Sequence, residues 1–126
     1  MPLVRIDVPA GKPASFRRTV SDVVYAAMLE TLNVPNNDRF QVIAEHAPGD
    51  LIIDPIYLDI QRSANAILIQ VTLNEGRSTD MKQAFYKAVA EGLQQKAGMR
   101  REDVVINLVE VKKENWSFGN GVAQYA

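Results

Sequence analysis

The chain opens on an alternating pattern. Val4, Ile6 and Val8 fall on one side of an extended segment and Leu3, Arg5 and Asp7 on the other, which predicts a strand beginning at Pro2. After the breaker Pro9-Ala10-Gly11 the period changes. Phe16, Val20, Val23, Val24, Ala27 and Met28 recur at helical spacing, so an amphipathic helix is expected, capped by Ser15 and ending near Leu32. Turn formers from Asn33 to Asp38 then lead into an apolar-rich strand over Phe40 to Glu45. This half reads β-α-β.

Pro48-Gly49-Asp50 and Asp54-Pro55 flank short apolar segments and predict an edge ribbon or loop. Ala66 to Leu73 is nearly continuously apolar, as in a central strand buried on both faces. Asn74 to Ser78 forms a turn into a second helix, with Ser78 or Thr79 as cap, Met81, Phe85, Ala88, Val89 and Leu93 inward, and Gly98 as stop. Val104 to Val111 is the last long strand, and the glycine-rich tail from Trp116 to Tyr125 is compatible with a terminal hairpin.

The second half therefore repeats the first, and Asn36 to Ile43 resembles Arg100 to Asn107 at the spacing that separates the first strand from the central one. The fold class that follows is α+β, an α/β sandwich: a duplicated β-α-β unit making a four-stranded mixed sheet with both helices on one face. No further helix is left to cover the other face, which points to a closed oligomer.

Composition narrows the function classes. At 126 residues and 47% hydrophobic, the chain suits one domain over 1–126. A formal charge of −1, with cations and carboxylates interspersed, gives no footprint for nucleic acid or an anionic membrane. With no cysteine and a single histidine, His46, no metal is expected. The first residues lack the apolar run of a signal peptide, so a cytoplasmic protein is expected. Gly119-Asn120-Gly121 follows no strand-to-helix transition, so no nucleotide cofactor is expected, and none of another kind.

Among candidate chemical groups Pro2 is the most distinctive. Removal of Met1 would turn its nitrogen into a secondary amine, and an α-amine titrates at about 7.7 to 8.0, lower when burial disfavours the cation. Such a group serves as general base or acid near neutrality. Met-Pro is also a common start, but here it opens a core strand that would fix the nitrogen. Asp38, ahead of the second strand, is placed either to orient water or a substrate hydroxyl, or to cap a turn. Arg77, near the second helix's start, is a carboxylate clamp or a solvated loop arginine. Trp116 and Phe118 wall a site, seal a core or interface, or do both. His46 has no serine or cysteine motif beside it and reads as a hydrogen-bonded structural residue.

The initial Met-Pro strand, the two β-α-β halves, Val34-Pro35-Asn36-Asn37-Asp38-Arg39 and Asn115-Trp116-Ser117-Phe118-Gly119 together resemble the tautomerase superfamily across essentially the whole chain, closest to its malonate semialdehyde decarboxylase-like branch. The resemblance implies a homotrimer and a cleft around Pro2, with Asp38 as the loop aspartate, Arg77 binding a small carboxylate substrate, and Trp116 and Phe118 in the apolar wall. One departure stands out. The decarboxylase pattern has two arginines after the central strand, and here Glu75 replaces the first. That weakens decarboxylation more than enol–keto proton transfer. The leading expectation is a tautomerase using the Pro2 amine; the alternative is a lyase or hydratase with a cationic proline and Asp38-activated water; a third is a trimeric module without catalysis.

Overall fold

A computed structural model describes residues 2–126; Met1, whose removal the amine chemistry of Pro2 requires, lies outside them. The long elements are β1 (Leu3–Pro9), α1 (Ala14–Thr31) and β2 (Phe40–His46), followed by a small ribbon of β3 (Ile56–Tyr57) and β4 (Ile60–Gln61), then β5 (Ile67–Asn74), α2 (Thr79–Ala97) and β6 (Val104–Val111). The main sheet has the order β2-β1-β5-β6, parallel within each half and antiparallel between β1 and β5 at the centre. The duplication is metrically regular: β5 starts 64 residues after β1, at Ile67 against Leu3, and β6 starts 64 after β2, at Val104 against Phe40.

Both helices lie on one face. Val20, Val23, Val24, Ala27 and Met28 of α1 and Phe85, Val89 and Leu93 of α2 share one buried cluster with Val4, Ile6 and Val8 of β1 and Ile67, Ile69, Val71 and Leu73 of β5. Removing each such side chain from water contributes about 1.5–3 kcal/mol. The α2 boundaries follow the expected signals: Ser78 accepts from the Met81 amide, and Gly98 takes the left-handed conformation (φ 63°) that glycine adopts without strain. No helix among the described residues is long and apolar enough to cross a membrane.

Three expectations need correction. The N-cap of α1 is Pro13, not Ser15, and it makes no side-chain cap; a proline's fixed φ and missing N–H suit a helix start without one. β5 is buried on one face only: Ile67, Ile69, Val71 and Leu73 point to the helices, whereas Gln70 is exposed and Leu68, Thr72 and Asn74 are half-buried on the other side. The tail after β6 holds a short 3-10 turn (Lys113–Asn115) and further turns, with no strand pairing among its described residues.

The sheet's second face is open. Leu3, Phe40, Val42 and Val109 are exposed there beside Arg5, Gln70 and Asn107.

Candidate active site

Strand register gathers the candidate residues at one end of the sheet. Leu3 pairs with Phe40 on one side and Thr72 on the other. Buried Pro2, immediately before Leu3, thus shares that end with Asp38, two residues before Phe40, and with Asn74, two after Thr72. Asn74 is also in register with Val111, the last residue of β6, so the tail carrying Trp116 and Phe118 departs from the same place.

Asp38 is only 3% exposed although it lies in a turn-rich loop. Its neighbours are held outside by one side chain of α1. The Asn37 amide donates to the Tyr25 hydroxyl (3.2 Å), and the Arg39 guanidinium lies 4.6 Å from the centre of the Tyr25 ring while also binding Asp22 (2.6 Å) and Ser21 (2.7 Å). With both flanks anchored outward, Asp38 turns in. Burial pushes its carboxyl above the usual aspartate value, against the pull of positive charge around it, that of Arg77 included. A solvated turn aspartate would show neither feature. Tyr25 was not singled out from sequence; its partners are 12 and 14 positions away, beyond any helical or strand period.

Arg77 is not a free loop arginine either. Its Nε donates to the Leu32 carbonyl (2.9 Å) and its Nη1 to the Asn74 carbonyl (3.1 Å), so it stitches the end of α1 to the end of β5. Burial lowers its pKa from the ordinary guanidinium value, while Asp38 and then Glu110 act to raise it; an arginine so perturbed stays cationic. A charged donor within electrostatic reach of the buried Asp38 carboxyl, at the end of β5, is an arrangement that can hold an anion.

The tail supplies an aromatic wall. Trp116 and Phe118 are stacked, with centroids 5.5 Å apart and planes at 12°. Phe118 reaches Phe40 at the start of β2 (6.2 Å) and meets Tyr125 edge-on (5.6 Å). The Trp116 indole donates to Asn74 Oδ1 at 2.7 Å. Phe40, Tyr125 and Asn74 complete this wall and were not foreseen as part of it. A cavity of about 480 Å³ beside it is lined by Asn74, Glu75, Lys112, Lys113 and Tyr125, among others. Glu75 is exposed there, its amide bonded to the Val111 carbonyl, and it lines the cavity together with Lys112, Lys113 and Glu114.

His46 lies at the opposite end of β1 and β2, where its Nε2 pairs with Asp7 (2.7 Å) beside a separate cavity of about 360 Å³. Distance along the strands separates it from Pro2.

A family model described as a tautomerase enzyme matches residues 38–119, and a second of the same description matches residues 2–59. The chain belongs to the tautomerase family. Over 124 residues, 98% of each protein, this tautomerase is 38% identical to the probable tautomerase YusQ of Bacillus subtilis strain 168. Among solved structures it is similar to an FG41 malonate semialdehyde decarboxylase inhibited by 3-bromopropiolate: TM-score 0.91, 37% identity, with 98% of this chain and 93% of that one covered. A fused 4-OT solved as a symmetric trimer shares the fold at TM-score 0.80 and 21% identity, covering 98% and 97%. The tautomerase is thus an isomerase enzyme built on a duplicated β-α-β frame.

Proposed function

We propose that this tautomerase interconverts the enol and keto forms of a small 2-oxo acid, with the amine of Pro2 as the proton carrier. Neutral Pro2 nitrogen takes the enol hydroxyl proton, the carbonyl forms as the C=C electrons move to carbon, and the prolyl ammonium gives its proton to that carbon, restoring the amine. Arg77 holds the carboxylate with the guanidinium edge not engaged by Leu32 and Asn74. Asp38 orients the substrate hydroxyl, and Trp116 and Phe118 exclude water, which strengthens both polar contacts. No cofactor takes part in this scheme.

The observation that carries this reading is the convergence of Pro2, a buried Asp38 and a backbone-anchored Arg77 on one sheet end. The exposed apolar side chains of the open face support a homotrimer in which three such faces meet. A second reading has its own support, the TM-score of 0.91 with a malonate semialdehyde decarboxylase. There Pro2 would be a cation that polarises a carbonyl while Asp38 activates water.

The test is phenylpyruvate enol–keto turnover by protein whose intact mass shows Met1 removed, compared with Pro2→Ala. Turnover abolished by the substitution is expected; unchanged turnover would overturn amine catalysis. In the pH–rate profile, a free-enzyme pKa of about 6 to 7 fits the base, and one well above 7 the cationic acid of the lyase.

A further inference from the structure

Among the described residues, Asn74 is hydrogen-bonded to both the cation and the aromatic wall of the site: its main-chain oxygen accepts from Arg77 Nη1 (3.1 Å) and its side-chain Oδ1 accepts from Trp116 Nε1 (2.7 Å). We propose that Asn74 is a positioning residue that locks the Trp116–Phe118 stack to Arg77 and so fixes the gap in which a 2-oxo carboxylate lies against Pro2; the inference rests on the reading of the site given above.

The physical case starts from where Asn74 sits. As the last residue of β5 it is held by the ladder to β6, in register with Val111, and two positions earlier Thr72 pairs with Leu3 beside Pro2. Its backbone is thereby tied to the strand that carries the amine. The tail bearing Trp116 has no such ladder; after β6 it makes only turns. A stacked pair on an irregular tail needs a directional anchor, because stacking is tolerant of sliding and an indole N–H bond is not. Trp116 has a single donor and no acceptor, so Oδ1 of Asn74 fixes its in-plane orientation. Phe118 follows because it is stacked on Trp116 at 12°, and through Phe118 so do the contacts with Phe40 and Tyr125. An amide supplies this acceptor without placing a second carboxylate beside Arg77.

Trp116 is the sole tryptophan, so its fluorescence reads the anchor directly. The experiment compares wild type, Asn74→Leu, Asn74→Asp and Trp116→Phe, using acrylamide quenching of emission and steady-state phenylpyruvate kinetics, with circular dichroism as a check of folding. In Asn74→Leu the emission should shift and quenching should rise. kcat/KM should fall roughly 10- to 100-fold, most of it in KM, as expected when a binding wall loses its register. Asn74→Asp keeps the acceptor and should restore wild-type emission and quenching, while its carboxylate beside Arg77 still raises KM for the anionic substrate. Trp116→Phe removes the donor and should reproduce the KM effect, which keeps the test decisive if the leucine variant folds poorly, and Asn74→Leu should add nothing further in that background. Unchanged emission and quenching in Asn74→Leu overturns the anchor. Altered emission with unchanged KM and kcat, or additive losses in the double variant, overturns its positioning role. A wild type with free Pro2 and no turnover defeats the reading of the site instead, and the shift in KM is then replaced by the loss of quenching affinity for 2-oxobutanoate in Asn74→Leu; equal affinity in both proteins overturns the proposal.

Discussion

Replacing Arg77 by alanine separates its bracing of the fold from the anion binding proposed for it. The guanidinium gives one hydrogen bond each to the Leu32 and Asn74 carbonyls. Hydrogen bonds from a charged donor contribute about 1.5–3 kcal/mol each, and Arg77 is half-buried, so the lower part of that range applies and Arg77→Ala should destabilise by about 3–4 kcal/mol. Arg77→Lys retains the charge but reaches one carbonyl with a compact ammonium, so about half of that loss is expected. Denaturant unfolding at fixed protein concentration reads this, since assembly would make the midpoint concentration-dependent. The proposed anion binding is read by kinetics. Losing a charge-assisted carboxylate contact in a dry site costs about 2–4 kcal/mol of transition-state stabilisation, or roughly a 30- to 1000-fold fall in kcat/KM for phenylpyruvate. The methyl ester of the same substrate has no carboxylate to lose and should fall far less. A folded Arg77→Ala protein that handles the acid as wild type does, or that loses acid and ester turnover equally, would refute carboxylate binding by Arg77.

Two further predictions follow from burial. Because burial raises the Asp38 pKa above its ordinary 3.8, the folded state binds that proton more tightly; the stability this confers is complete below the ordinary value and is lost as pH rises through the raised one. Asp38→Asn should lack that step in a plot of unfolding free energy against pH, and an identical profile in both proteins would contradict the assignment. Gly92 of α2 faces Val23 of α1 so closely that an added Cβ would stand 2.7 Å from Val23 Cγ1. Gly92→Ala should therefore lose about 1–3 kcal/mol to overpacking, partly offset by a helix-propensity gain of about 1 kcal/mol, whereas in a Val23→Ala background the same change should stabilise. Denaturant titration of the four proteins checks it, and equal effects in both backgrounds would count against the close approach.

Much of the frame was legible in the chain because strand and helix periods are local. The alternation at Val4, Ile6 and Val8 and the helical recurrence from Val20 to Met28 are the positions that form the core. Gly98 and Ser78 marked the ends of α2 by their own conformational and capping preferences. β5 was misread although its signal was present: Gln70 and Thr72 interrupt the apolar run with period two, so one face is polar and only the other packs on the helices. The tail was misread for a different reason. Its glycines suggested a hairpin, but what holds it is a hydrogen bond from Trp116 to Asn74, 42 positions earlier, and ring contacts reaching back to Phe40.

The sequence by itself determined the duplicated β-α-β order, the apolar stripes that build a one-sided sheet, and the position of Pro2 at the head of a core strand. All of these depend on side chains within a few positions of one another. Only the tertiary structure decided which way the polar groups near Pro2 face. Asp38 is turned inward because Tyr25 of α1 holds both of its neighbours outside. Arg77 is committed to the carbonyl of Leu32, 45 positions away, and to Asn74, which also anchors Trp116. A side chain's direction is set by whatever partner satisfies its charge or hydrogen bonds after the strands have paired, and that pairing brings together residues no local period connects.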